Sequence, residues 1–88
     1  MERLNKDNYD IFSGYRIRTD VPTDIRDEKV VRIRIYNGNN KVRDKSFELR
    51  ETPTWDASKK RIQLARRDLL RVIAKTAELC RGLPYKLP

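Results

Sequence analysis

The sequence predicts an α+β domain in which a three-stranded antiparallel sheet packs on one long C-terminal helix, in the chain order βββα. Three observations predict it. Apolar residues and arginines alternate in Tyr15-Arg16-Ile17-Arg18 and in Val31-Arg32-Ile33-Arg34-Ile35, the period-two pattern of strands with one covered face. Asn37-Gly38-Asn39-Asn40 supplies residues that tolerate positive φ, as a hairpin turn requires. From about residue 57 to residue 81, apolar residues recur with a helical period.

Residues 1–13 carry no clear period and read as an N-terminal arm, with Tyr9, Ile11 and Phe12 able to tack it onto the core. Gly14 introduces the first strand, about 15–19. Asp20 to Glu28 reads as a loop around Pro22. Its acids (Asp20, Asp24, Asp27, Glu28) either fold back on neighbouring arginines or keep the loop solvated, and solvation is the expectation. Residues 29–36, β-branched and alternating, are the clearest strand.

The return strand spans about Lys41 to Arg50, with Phe47 and Leu49 on one face and Val42 on the other. A bulge near Asp44, or a strand that begins only at about Lys45, reconciles the two phases. Thr52-Pro53-Thr54-Trp55-Asp56 breaks the strand and offers Thr54 or Asp56 as a helix N-cap. At 100° per residue, Ile62, Ala65, Leu69, Ile73, Thr76 and Cys80 fall within about 80° of arc, flanked by Val72 and Ala77. That stripe, with Leu69 at its centre, is expected to meet the sheet, and Trp55 to plug one end of the core. Gly82 and Pro84 stop the helix. The organisation is thus an arm (1–13), a single domain (14–82) and a flexible tail (83–88).

Composition narrows the function. The chain has 88 residues, of which 39% are charged, and a formal net charge of +8. Such a field attracts phosphate or acidic protein surfaces. With no histidine and one cysteine, Cys80, neither an ordinary zinc site nor a disulfide framework is expected, and Cys80 reads as packing. A glycine-rich phosphate loop and a carboxylate pair placed by spacing are also missing, so neither an enzyme nor a cofactor is expected. No apolar run approaches membrane-spanning length and the start of the chain lacks a signal-type apolar region, which gives an expected cytoplasmic location without a membrane partner.

Charge concentrates on two outer faces. One is the sheet face bearing Arg16, Arg18, Arg32 and Arg34, with Tyr36 at the mouth of the hairpin, placed either to stack on a sugar or base or to pack across the strands. The other is a helix face with Lys60, Arg67, Arg71 and Lys75. Like charges opposed across a sheet are destabilising, so a bare arginine cluster calls for a docked polyanion. Arginine also binds phosphates and guanine edges bidentately, which favours the sheet as the contact surface and duplex DNA as the partner. Duplex RNA and an acidic partner protein remain open, as does the oligomeric state.

Gly14-Tyr15-Arg16-Ile17-Arg18, Val31-Arg32-Ile33-Arg34-Ile35-Tyr36, Gly38 in the turn, Lys45-Ser46-Phe47 and the amphipathic helix resemble the arm-type DNA-binding domain of tyrosine integrases and the plant ethylene-response-factor domain of the same fold. The resemblance covers about residues 14–80. It implies a sheet lying in the major groove, with Arg16, Arg18, Arg32, Arg34 and Lys45 at the DNA. The long acidic first loop, the long helix and strands without tryptophan depart from that family, and with no recombinase domain following, a phage or mobile-element accessory factor or regulator is implied. Ser58-Lys59-Lys60 at the expected helix start is similar to the double-stranded RNA-binding domain, where lysines at that place meet phosphates. Its N-terminal helix has no counterpart here, and its third lysine would fall at Gln63.

Overall fold

Side-chain alternation builds most of the molecule. The computed structural model describes residues 9–12, by their backbone alone, and residues 14–84. Four strands form one antiparallel meander: β1 (Tyr9–Phe12), β2 (Tyr15–Asp20), β3 (Val30–Asn37) and β4 (Asn40–Glu48). A separate hairpin follows, β5 (Thr54–Asp56) with β6 (Arg61–Gln63), and then one helix, α1 (Arg66–Cys80). The chain is the expected α+β domain, an antiparallel sheet followed by one C-terminal helix. Part of the expected arm joins the sheet as β1, pairing Phe12 with Tyr15 across a connection that holds Gly14 at φ 87°. The rest of the arm lies outside the described residues.

The inward face of the sheet is the predicted one. Tyr15 and Ile17 on β2, Val31, Ile33 and Ile35 on β3, and Leu49 just past β4 are buried. Val42, Phe47, Val72, Leu79 and Cys80 pack around them. Gly38, at φ 63°, makes the expected turn between Asn37 and Asn40. The phase conflict on β4 is resolved by a register shift: Ile35 faces Arg43 while Tyr36 faces Lys41, leaving Val42 as the extra residue. The irregularity sits at Val42 rather than Asp44, and the strand runs its full length from Asn40.

Two expectations at the other end of the chain are corrected. Residues 57–65 are not helical. Asp56 accepts from Ser58 N (3.1 Å), Ser58 Oγ (2.7 Å) and Lys59 N (3.3 Å), so local side-chain-to-backbone bonding outcompetes a helical turn. Trp55 then pairs with Ile62 in the hairpin and is 51% exposed, so it plugs no core.

The second correction concerns phase. Leu69 and Ile73 are 49% and 59% exposed; Val72 and Leu79 pack against the buried cluster, and Asp68 is fully buried beside the end of β4. The helix is therefore turned by roughly a quarter turn from the expected orientation, at 100° per residue. Asp68 explains why. Its carboxylate accepts from Arg50 N (2.9 Å) and Glu51 N (3.0 Å) just beyond β4 and from Arg71 Nη1 (2.9 Å), pinning the first turn of α1 to the sheet. At the far end Tyr15 Oη donates to the Pro84 carbonyl (2.8 Å) and Leu83 packs on the core, so the first two residues of the expected flexible tail are anchored. The rest of that tail lies outside the described residues.

Candidate nucleic-acid interface

Cross-strand partners share a face, so the β2–β3 register fixes where the arginines stand. Arg18 lies directly opposite Arg34, Asp20 opposite Arg32, and Arg16 opposite Tyr36. All four arginines and Tyr36 thus occupy the face turned away from the buried cluster. Arg16 sits over the Tyr36 ring (5.6 Å to its centroid) and donates to the Gly38 carbonyl (2.7 Å), so Tyr36 serves as a cross-strand platform for a guanidinium.

The cluster is gathered but not bare. Arg18 Nε donates to Asp20 (3.1 Å), and Arg34 Nη2 donates to the same carboxylate. Arg32 forms a bidentate pair with Asp44, at 3.0 and 2.7 Å, and Lys41 Nζ reaches Asp44 at 2.8 Å. Asp20, expected to keep a loop solvated, instead ends β2 and folds back on its arginines. Burial alone would raise the Asp20 carboxyl, but its bonds from Arg34 and Arg18 hold it below the ordinary range; Arg32 and Lys41 drive the Asp44 carboxyl far below it. Arg16, Arg18, Arg32, Arg34 and Lys41 share the described part of the face with Asp20, Asp44 and Glu48, five bases against three acids, for a net +2. The intramolecular pairs answer part of the like-charge problem that the sequence left to a polyanion.

Lys45 does not join them. It pairs with Ile33, on the opposite side of the sheet, where β4 is an edge strand. An exposed charge there, with no ion-pair partner among the described residues, discourages further strand addition.

The secondary face shrinks as well. Lys60 is at the tip of the β5–β6 hairpin, in a left-handed conformation (φ 53°), not on the helix. Arg71 is a fastener: it binds Asp68, donates to the Glu48 carbonyl (3.0 Å) and lies over the Phe47 ring at 5.0 Å. Arg67 and Lys75 approach Glu51 and Glu78 loosely, at 4.0 and 3.9 Å.

What sequence reasoning missed is the hairpin tip, where Lys59, Lys60 and Arg61 are exposed with no ion-pair partner among the described residues. The available signal was the Asp56-x-Ser58 turn ahead of a second short alternation, Arg61-Ile62-Gln63. The lysines that carry the likeness to the RNA-binding domain belong to this tip rather than to a helix start. Among the described residues no helix is long and apolar enough to cross a membrane.

No protein-family model matches the chain, and comparisons with curated proteins and with solved structures likewise found no match. The likenesses to integrase arm domains and to RNA-binding domains therefore rest on the strand and helix patterns themselves.

Proposed function

We propose that this domain is a non-enzymatic nucleic-acid-binding module that docks duplex DNA on the arginine-bearing face of its sheet. The observation that supports it is the register: Arg16, Arg18, Arg32 and Arg34 form one block on adjacent strands, opposite the covered face. The Asp44 carboxylate does not block docking. Exposed ion pairs contribute little net free energy, and the Arg32, Lys41 and Asp44 side chains are 43%, 44% and 32% exposed, within reach of an incoming phosphate. An arginine already held in a bidentate fork presents the geometry a phosphate requires. A small twisted sheet also fits a major groove about 12 Å wide.

The test is fluorescence anisotropy with labelled duplex DNA, duplex RNA and single strands at several salt concentrations. Binding to duplex DNA should fall by about 0.9 log units per log unit of salt for each phosphate neutralised. The double change Arg32→Ala/Arg34→Ala should weaken it about tenfold or more while circular dichroism stays unchanged, because Asp44 and Asp20 keep Lys41 and Arg18 as partners. Full affinity in that variant rejects the sheet face. A larger loss from Lys59→Ala/Lys60→Ala moves the contact surface to the hairpin.

A further inference from the structure

Helix α1 carries more apolar surface than the sheet uses. At 100° per residue its apolar positions span about 180°, from Leu79 and Val72, which pack on the core, round to Leu69, Ile73, Ala77 and Leu70. Leu69, Leu70 and Ile73 are 49%, 52% and 59% exposed. Beside them, between α1 and β2, runs a groove of about 510 Å3 whose walls include Ile17, Thr19, Ile73 and Ala77. An exposed apolar surface rimmed by charge is the form of a docking site.

We infer that this stripe and groove hold an acidic amphipathic helix of a partner protein. The rim decides between occupants. Arg66 stands at one end of the stripe, three and four residues before Leu69 and Leu70; Arg81 stands at the other, four residues after Ala77. Both are exposed and have no ion-pair partner among the described residues. At about 1.5 Å per residue they are roughly 22 Å apart along the helix, the length of four turns of a partner helix.

The acids of α1 lie elsewhere, Asp68 buried and Glu78 on the far side near Lys75. A second copy would therefore bring arginine against arginine, antiparallel (Arg66 to Arg81) or parallel (like to like), on a chain of net charge +8. A helix with carboxylates near both ends and leucines along one face satisfies both features, in the helix-in-groove mode. The surface is separate from the arginine face of the sheet, so this inference stands whether or not that face binds DNA.

The probe is a fluorescein-labelled peptide of about four helical turns, with leucines at i, i+3, i+4 and i+7 and glutamates flanking them, titrated with the full chain at physiological salt. Saturable one-to-one binding is expected. A scrambled peptide of identical composition should bind at least about tenfold more weakly, because it keeps the charge and loses the stripe. Ile73→Asp, or Leu70→Asp should the first variant fold poorly, should weaken the ordered peptide about tenfold or more, and Arg66→Ala/Arg81→Ala severalfold.

Equal affinity for the scrambled peptide would reduce the effect to non-specific charge and overturn the inference, as would no binding at all. A concentration-dependent dimer in sedimentation equilibrium that Ile73→Asp dissolves would assign the stripe to a second copy and overturn it too.

Discussion

Asp44→Asn should strengthen DNA binding, and its size can be worked from the geometry. Asp44 holds two cations at once, Arg32 through both carboxylate oxygens and Lys41 at 2.8 Å. In the parent the carboxylate competes with phosphate for both cations, so removing its charge commits at least one further cation, and at most both, to the DNA. Each adds about 0.9 to the slope of log affinity against log salt, so the slope should steepen by about 0.9 to 1.8. Over a fourfold dilution of salt, that becomes an additional gain of about 3-fold to 12-fold relative to the parent chain. The assay is a salt titration of both proteins by anisotropy, with thermal melts to confirm an unchanged fold. An unchanged slope would mean that Arg32 and Lys41 never meet phosphate. The sheet-face assignment would then be wrong however tightly the protein bound DNA.

Other substitutions test the architecture. Asp68→Ala strands the Arg50 and Glu51 N–H groups in a part-buried site and leaves Arg71 without its carboxylate, and should destabilise the domain by about 2–4 kcal/mol at pH 7, read from urea melts. Burial alone would raise the Asp68 carboxyl, but those two N–H groups and Arg71 hold it below its ordinary 3.8. Its contribution is therefore full above about pH 3.8 and is lost as the pH falls through the folded value, so the gap between Asp68→Ala and the parent should narrow at pH 3. Ile33→Ala, in the fully buried centre of the sheet, should cost about 2–5 kcal/mol. Leu69→Ala, at a half-exposed position, should cost under about 1 kcal/mol, and a larger loss would mean that α1 packs in its sequence-expected phase. Asp20→Asn leaves Arg18 and Arg34 opposed with no shared carboxylate and should destabilise by about 1 kcal/mol at low salt, with the loss shrinking as salt screens the pair.

The parts of this fold legible in the sequence are those set by local chemistry. Strand β3 and its Asn-Gly turn declare themselves because alternation and positive-φ residues act within a few positions of one another. The phase of α1 was not legible, because its apolar arc is about twice as wide as the seam it makes, so periodicity could not say which half meets the sheet. Asp68 decides that, by catching backbone N–H groups some eighteen positions earlier in the chain. The short hairpin escaped for a related reason: three residues on each side carry too little alternation to outweigh a helical pattern running through Leu69 and Ile73. On the candidate face, alternation alone placed the arginines together. Their carboxylate partners needed the register, because Arg32 reaches Asp44 diagonally, past its direct neighbour Ser46. Lys45 was misplaced for a different reason: its place at the DNA came from the resemblance, whereas alternation with Phe47 already sets it on the covered side of the sheet.

The two carboxylates on the arginine face divide it into zones with different tasks. Asp20 serves a structural need that exists with or without a ligand: Arg18 and Arg34 stand opposed, the Arg34 side chain is only 20% exposed, and its Nε is buried with no acceptor among the described residues. A guanidinium so enclosed has little freedom to exchange its carboxylate for phosphate. Asp44, by contrast, gathers Arg32 and Lys41 on the more open flank toward the hairpin, where all three side chains remain about a third or more exposed. Exchange is easiest there, and Arg16 over Tyr36 extends the same flank. Polyanion contact should therefore centre on Arg16, Arg32 and Lys41, with Arg18 and Arg34 setting the local field and the rigidity of the strands. If that division holds, Asp20→Asn and Asp44→Asn, alike in charge change, separate cleanly: the first loosens the fold with little gain in binding, and the second tightens binding with little effect on the fold.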